Sequence, residues 1–158
     1  MISPETLRRY PFFNFMTPDQ LREIAVITEE VEADADSTIF EMGAPADALY
    51  FVQEGGVDLI YVVSDTLKTR ITQEFRIGSI NAGEILGISA LVEPHELTAA
   101  AETTAHSRLL RIDAPALRRL IEKDPALAYR LQQRVSRALM ERLQATRVEL
   151  LAATNAVP

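Results

Sequence analysis

A chain of 158 residues with 47% hydrophobic and 25% charged side chains has the size and balance of one globular domain, which excludes a disordered segment. The absence of cysteine rules out disulfides, thiolate metal sites and a cysteine nucleophile, and two isolated histidines, His95 and His106, do not make a metal cluster. The net charge of −7 is split between an acidic body, with 6 basic and 18 acidic side chains in residues 1–107, and a basic end, with 10 basic and 5 acidic in residues 108–158, a poor pattern for general nucleic-acid binding.

In chain order, Pro11-Phe12-Phe13-Asn14-Phe15 reads as an aromatic plug on the core. Thr17-Pro18-Asp19-Gln20 is a helix start: Thr17 caps, Pro18 suits the first helical position and Gln20 completes a capping box. Leu21, Ile24, Ala25 and Thr28 then form one face of a short amphipathic helix. The acidic group Glu29, Glu30 and Glu32 reads as a solvated face. From Ile27 to Ile112 the signals are those of short strands, namely 38–41, 48–52, 57–63, 69–77, 99–104 and 107–112. Gly55-Gly56 predicts a hairpin between the second and third, and Ser64 to Lys68 predicts a turn. All six glycines lie between Gly43 and Gly87, which places the turn-rich sheet in the middle and helices at the end. The expected class is α+β, mainly β: an antiparallel sandwich or jelly roll.

Asp113 caps a short helix, and Asp124-Pro125 opens a long one reaching about Ala153. Leu127, Leu131, Val135, Leu139, Leu143, Thr146 and Leu150 form its apolar stripe. Roughly 28 residues at 1.5 Å each give about 42 Å, longer than a domain of about 30 Å. Part of the stripe must therefore cover the sheet or meet another chain. The basic residues of this half are expected on solvated helix faces, the alternative being an acidic partner.

Gly83-Glu84-Ile85-Leu86-Gly87-Ile88-Ser89-Ala90-Leu91 is followed by a loop and by Leu97-Thr98-Ala99. It has the glycine frame of a phosphate cradle, yet no Lys or Arg stands between Arg76 and Arg108. Together with Thr17 to Ala25, Phe40-Glu41-Met42-Gly43, Ala48-Leu49-Tyr50-Phe51-Val52-Gln53-Glu54-Gly55 and Leu109 to Asp113, this stretch resembles the cyclic-nucleotide-binding domain family, including the sensor halves of CRP/FNR-like regulators. The resemblance implies a β-roll with an N-terminal helical segment (1–26), a roll (27–113) and C-terminal helices (114–158), all one domain.

The family's cassette runs G-E-x-x-G-E-x-A-L, then a loop, then R-[ST]-A. Gly83, Glu84 and Gly87 match the frame, Ala90 and Leu91 the Ala-Leu, and Thr98 and Ala99 the end. The ribose-binding Glu falls on Ile88, next to Ser89, and the phosphate-binding Arg falls on Leu97. Loss of both charge-assisted contacts removes roughly 4–6 kcal/mol, or about three to four decades of affinity. His95 reads as an exposed loop residue. Glu84 reads as a support for the turn.

The function expected from this pattern is a non-catalytic regulatory or interaction module without cofactor, whose degenerate cassette does not take cyclic AMP or cyclic GMP in the usual way. The alternative is a sensor for a different, less charged small molecule in the roll. The resemblance implies pairing of two copies through Val135, Leu139, Leu143 and Leu150, with Arg142 and Thr146 as imperfections beside the seam. A protein partner is compatible with either reading. The chain ends near the end of the long helix, without room for a recognition helix, so DNA binding is not expected. No nucleophile–base pair, paired carboxylates or metal cluster suggests an enzyme. No leader pattern follows Met1 and no apolar run approaches the roughly 18 residues of a membrane span. The expected location is the cytoplasm, with no membrane partner.

Overall fold

Local capping chemistry sets the helical ends of the chain. The structure, a computed structural model, describes residues 1–64 and 72–154. It begins with helix α1 (Pro4–Arg8) and a 3-10 turn (Pro11–Phe13), then helix α2 (Pro18–Val26). The Thr17 hydroxyl accepts from the Gln20 N–H at 3.2 Å while Gln20 Oε1 accepts from the Thr17 N–H at 3.0 Å, the expected capping box. Leu21, Ile24 and Ala25 are buried, and the Thr28 hydroxyl donates to the Ile24 carbonyl at 2.6 Å. Of the phenylalanines, Phe13 is buried and Phe12 and Phe15 pack against the core, so the plug is formed.

Eight strands follow among the described residues: β1 (Thr28–Ala33), β2 (Thr38–Phe40), β3 (Ala48–Glu54), β4 (Gly56–Ser64), β5 (Thr72–Asn81), β6 (Ile85–Leu86), β7 (Ala100–Thr103) and β8 (Ser107–Asp113). They form two antiparallel sheets in the orders β1-β8-β3-β6 and β2-β7-β4-β5, the antiparallel architecture expected from the turn-rich middle and the β-roll that the resemblance implies. Of the turn expected at Ser64 to Lys68, Ser64 is the last residue of β4, and residues 65–68, like the start of the strand expected from Thr69, lie outside the described residues.

The hairpin expected at Gly55-Gly56 is not formed. β3 pairs with β8 and β6, whereas β4 pairs with β5 and β7, so the two glycines turn a corner from one sheet to the other. Gly55 has φ +92, and a Cβ on it would stand 2.2 Å from the Ser107 hydroxyl. The corner thus needs glycine for the same backbone reason a hairpin would. The long hairpin is instead β4–β5, paired from Gly56↔Asn81 to Ser64↔Thr72 with a bulge at Leu59/Ile60. β1 carries the acidic group: Glu29, Glu30 and Glu32 face solvent, with Glu30 bonded to Arg108 at 3.0 Å and Glu29 near Arg111 at 3.6 Å.

Successive side chains of a strand point to opposite faces, and both faces of the β1-β8-β3-β6 sheet are covered. Phe51 and Leu110 meet the helices, while Val52 and Leu109 meet Val57, Ile80 and Ala101 of the second sheet. Asp113 caps α3 (Ala114–Lys123) through the Ala116 N–H at 3.0 Å, and Asp124 caps α4 (Pro125–Ala153) through the Leu127 N–H at 3.1 Å. The 29-residue α4 splits into two halves. Leu127, Leu131 and Val135 are buried in this chain's own core, and beyond them Leu139, Leu143 and Leu150 are exposed.

Candidate functional site

The cassette is built on glycine geometry. At Gly83 (φ +90) the chain turns between β5 and β6, its N–H donating to the Val52 carbonyl at 2.8 Å. The Glu84 carboxylate accepts from the Asn81 N–H at 2.9 Å, so it holds this turn. Gly87 has φ +74, and a Cβ there would stand 2.9 Å from the Ala48 carbonyl oxygen. A side chain is excluded both by backbone strain and by the close approach of β3. The left-handed step delivers the chain into a 3-10 helix, Ile88–Leu91.

The loop that follows is stitched down by backbone bonds. Leu97 donates to Ala44 at 2.9 Å and accepts from Gly43 at 2.8 Å, and Ala46 donates to the His95 carbonyl at 2.8 Å. His95 is half-buried rather than exposed, because its Nδ1 lies 2.9 Å from the Ser89 carbonyl and ties the loop to the 3-10 helix. Arg118 of α3 donates to the Ala90 carbonyl at 2.8 Å, and Gln132 of α4 donates to the Leu91 carbonyl at 3.2 Å. The last carbonyls of the short helix are thus held by both C-terminal helices.

Gly87, Ile88, Ser89, Leu97, Thr98 and Ala99 all line one partly open cavity, together with Phe40, Leu59 and Arg142. It measures about 50 Å³, room for roughly three to five waters at 10–15 Å³ each. Leu97 is 6% exposed and belongs to the main core, against which the partly buried Ile88 also packs. Gly83 and Glu84 line a separate groove of about 250 Å³ against α4.

One cation does reach this region, from α4. Arg142 lines the cassette cavity, the groove beside Gly83 and Glu84, and a third groove of about 320 Å³ between α4 and β5. Its guanidinium donates to the Ile85 carbonyl, and its Nε is buried without a partner. Among the described residues it forms no ion pair. Burial lowers its pKa, with Glu84 and then Glu141 opposing that shift from a distance.

A glycine-framed turn, a 3-10 helix and a backbone-stitched loop, set in an eight-stranded roll, are the parts of a known domain. The sequence model of the cyclic nucleotide-binding domain matches residues 30–124, more than half of the chain. This chain belongs to that family. A solved candidate cyclic nucleotide-binding protein from Geobacter metallireducens is 37% identical with a TM-score of 0.77, the match covering 90% of this chain and 99% of that one. The sensor domain of the transcriptional regulator DNR from Pseudomonas aeruginosa is 25% identical with a TM-score of 0.66, covering 89% and 90%. A candidate potassium channel protein of Rhodopseudomonas palustris is 28% identical over 125 residues, 79% of this chain and 28% of its own length. Glutaminase 1 of Bradyrhizobium diazoefficiens is 27% identical over 139 residues, 87% of this chain and 21% of its own. The chain therefore spans about a quarter of the curated relatives it matches.

Within this cyclic nucleotide-binding domain, the residues expected to gather at the cassette do so, apart from Gly83 and Glu84, which face the neighbouring groove. Of the residues expected on a pairing face, Val135 is 2% exposed and taken up by the chain's own core, which removes it from any surface open to a partner. Leu139, Leu143 and Leu150 stay exposed. Arg142, which the sequence presents only as an imperfection beside the pairing seam, is the lining residue it does not reveal. Leu127, Leu131, Val135, Ala138 and Arg142 follow steps of four, four, three and four, which puts an arginine on the buried face of the helix.

Proposed function

We propose that this chain is a regulatory module, acting as one unit and without catalysis, whose cassette does not take cyclic AMP or cyclic GMP in the usual way. The observation that carries it is the filling of the cassette. The positions matching the ribose Glu and the phosphate Arg are Ile88 and Leu97, both packed against the core, and about 50 Å³ is left between them. Such a space is well below the roughly 300 Å³ at which ligand pockets begin. The cassette itself supplies no counter-charge to offset the desolvation of a phosphate, and the cation that lines the cavity among the described residues, Arg142, comes from α4 and is bonded to the Ile85 carbonyl. Isothermal titration of the full chain tests this: no heat is expected from either cyclic nucleotide at millimolar concentration, and micromolar binding overturns it.

The same module reading includes pairing of two copies. Leu139, Leu143 and Leu150 are 46%, 45% and 61% exposed along the half of α4 that runs past the core. With about half of each side chain already covered, burying the rest contributes roughly half of the 1.5–3 kcal/mol of a full burial, which favours an occupant. Light scattering should give twice the chain mass, reduced by Leu139→Glu. A single-chain mass at high micromolar concentration, unchanged by that substitution, sinks the pairing.

A second reading, a sensor for another small molecule, is favoured by the two larger grooves along α4, of about 250 and 320 Å³. In either reading the module works in the cytoplasm without DNA or membrane contact. No helix among the described residues is long and apolar enough to cross a membrane, and the acidic body, with 18 acidic against 6 basic residues over 1–107, repels a phosphate backbone. The family's appearance in relatives as different as a candidate channel and a glutaminase supports a domain that regulates rather than reacts.

A further inference from the structure

We propose that the groove between α4 and β5 is a site for a small monocarboxylate with an apolar body, its acid group seated on Arg142. The proposal rests on the sensor reading and is independent of whether the cassette is closed. The groove measures about 320 Å³, at the lower end of the roughly 300–1,000 Å³ typical of ligand pockets, whereas the cassette cavity is about 50 Å³.

The chemistry of the lining selects the class. Leu59, Ile77, Ile80 and Ala145 supply apolar walls. The hydroxyls are already engaged: Thr146 donates to the Arg142 carbonyl at 2.8 Å, and Ser79 donates to Asp58 and accepts from Arg76, each at 2.9 Å. Arg142 is the one cation lining the groove among the described residues. Among the described residues its partly buried guanidinium is bonded only to the Ile85 carbonyl, and its Nε is buried without a partner. A guanidinium withdrawn from water without a counter-ion is costly. A carboxylate supplies both the charge and a bidentate acceptor for which the guanidinium fork is shaped. The acid carries a single charge because Glu149 lines the same groove and Glu84 and Glu141 already act on Arg142. Glu149 is itself held by Arg76 at 3.6 Å, at the rim. Leu139, Leu143 and Leu150 do not line the groove, so the site is compatible with pairing through α4.

Thermal unfolding of the full chain is measured with octanoate and benzoate as probes, and with octanamide and inorganic phosphate as controls. A rise in melting temperature with at least one acid, and none with the amide or with phosphate, is expected. Arg142→Gln should weaken that response at least about tenfold, the loss of one charge-assisted hydrogen-bond pair. Ala145→Leu, which fills the groove and keeps the cation, should weaken it as well and keeps the test open if the arginine variant does not fold. No response to either acid at millimolar concentration overturns the site, as does an undiminished response in Ala145→Leu. An equal response to octanamide overturns the role of the cation, and an equal response to phosphate overturns the apolar class. Cyclic AMP is titrated in parallel: binding there refutes the closed cassette alone, while silence from both acids refutes this site alone.

Discussion

Replacing Leu97 by Ala tests whether the cassette is filled or merely lined. Leu97 is 6% exposed, sits in the main core and borders the 50 Å³ cavity. Its backbone is bonded in both directions, to Ala44 and from Gly43, so the loop cannot collapse inward to heal the gap. Losing three carbons forfeits roughly 2.4 kcal/mol at 0.8 kcal/mol per buried group. If the cavity doubles, the added 50 Å³ costs about 1.2 kcal/mol more at roughly 24 cal/mol per Å³. The sum, about 3.6 kcal/mol, lies inside the roughly 2.7–5.0 kcal/mol range of buried Leu→Ala changes. At about 2–4 °C per kcal/mol for a chain of this length, the melting temperature should fall by roughly 7–14 °C. Calorimetry or circular dichroism reads it directly. A fall below about 2 °C would show that the side chain borders open solvent space, and the filled-cassette reasoning would fail with it.

Two further outcomes follow from the same geometry. Gly87→Ala adds a Cβ 2.9 Å from the Ala48 carbonyl at φ +74, whereas Gly83→Ala adds one at φ +90 with nothing within 4 Å. Both carry the roughly 1–2 kcal/mol left-handed strain, so the extra loss of melting temperature in the Gly87 variant isolates the close approach; equal losses would contradict it. Asp124 has its pKa lowered, first by the Leu127 N–H and then by Gln20. Its contribution is therefore complete above the ordinary Asp value of about 3.9 and is lost as pH falls through the lower native value. The gap in melting temperature between the native chain and Asp124→Asn should narrow between about pH 5 and pH 2, and a gap independent of pH would refute this.

Local chemistry was the most legible part of the sequence. Thr17, Asp113 and Asp124, each followed at once or one residue later by proline, marked three helix starts, because a capping oxygen and a fixed φ act within one turn. The frame of Gly83 and Gly87 was legible for the same reason. Gly55-Gly56 was misleading because positive φ is needed equally by a hairpin and by a corner between sheets, and only long-range pairing decides which. β1 was hidden in its own acidity. Val31 and Ala33 alternate with glutamates whose partners, Arg108 and Arg111, lie on a strand far along the chain. On α4, extending Leu131–Val135 by fours to Leu139 and Leu143 drifts about 40° per step from the buried face. The true face turns through Ala138 to Arg142, so in the sequence an arginine beneath the helix looks like a flaw beside a seam.

The bonds from Arg118 and Gln132 to the carbonyls of Ala90 and Leu91 give α4 the mechanics of a pointer. Gln132 lies 21 residues before Ala153, a distance of about 32 Å along the helix. A tilt of about 5° about that anchor would carry the far end of α4 by roughly 3 Å, on simple helix geometry, so such a tilt is felt first at the contacts the helix makes beyond the anchor, the Arg142–Ile85 bond and the Glu149–Arg76 pair.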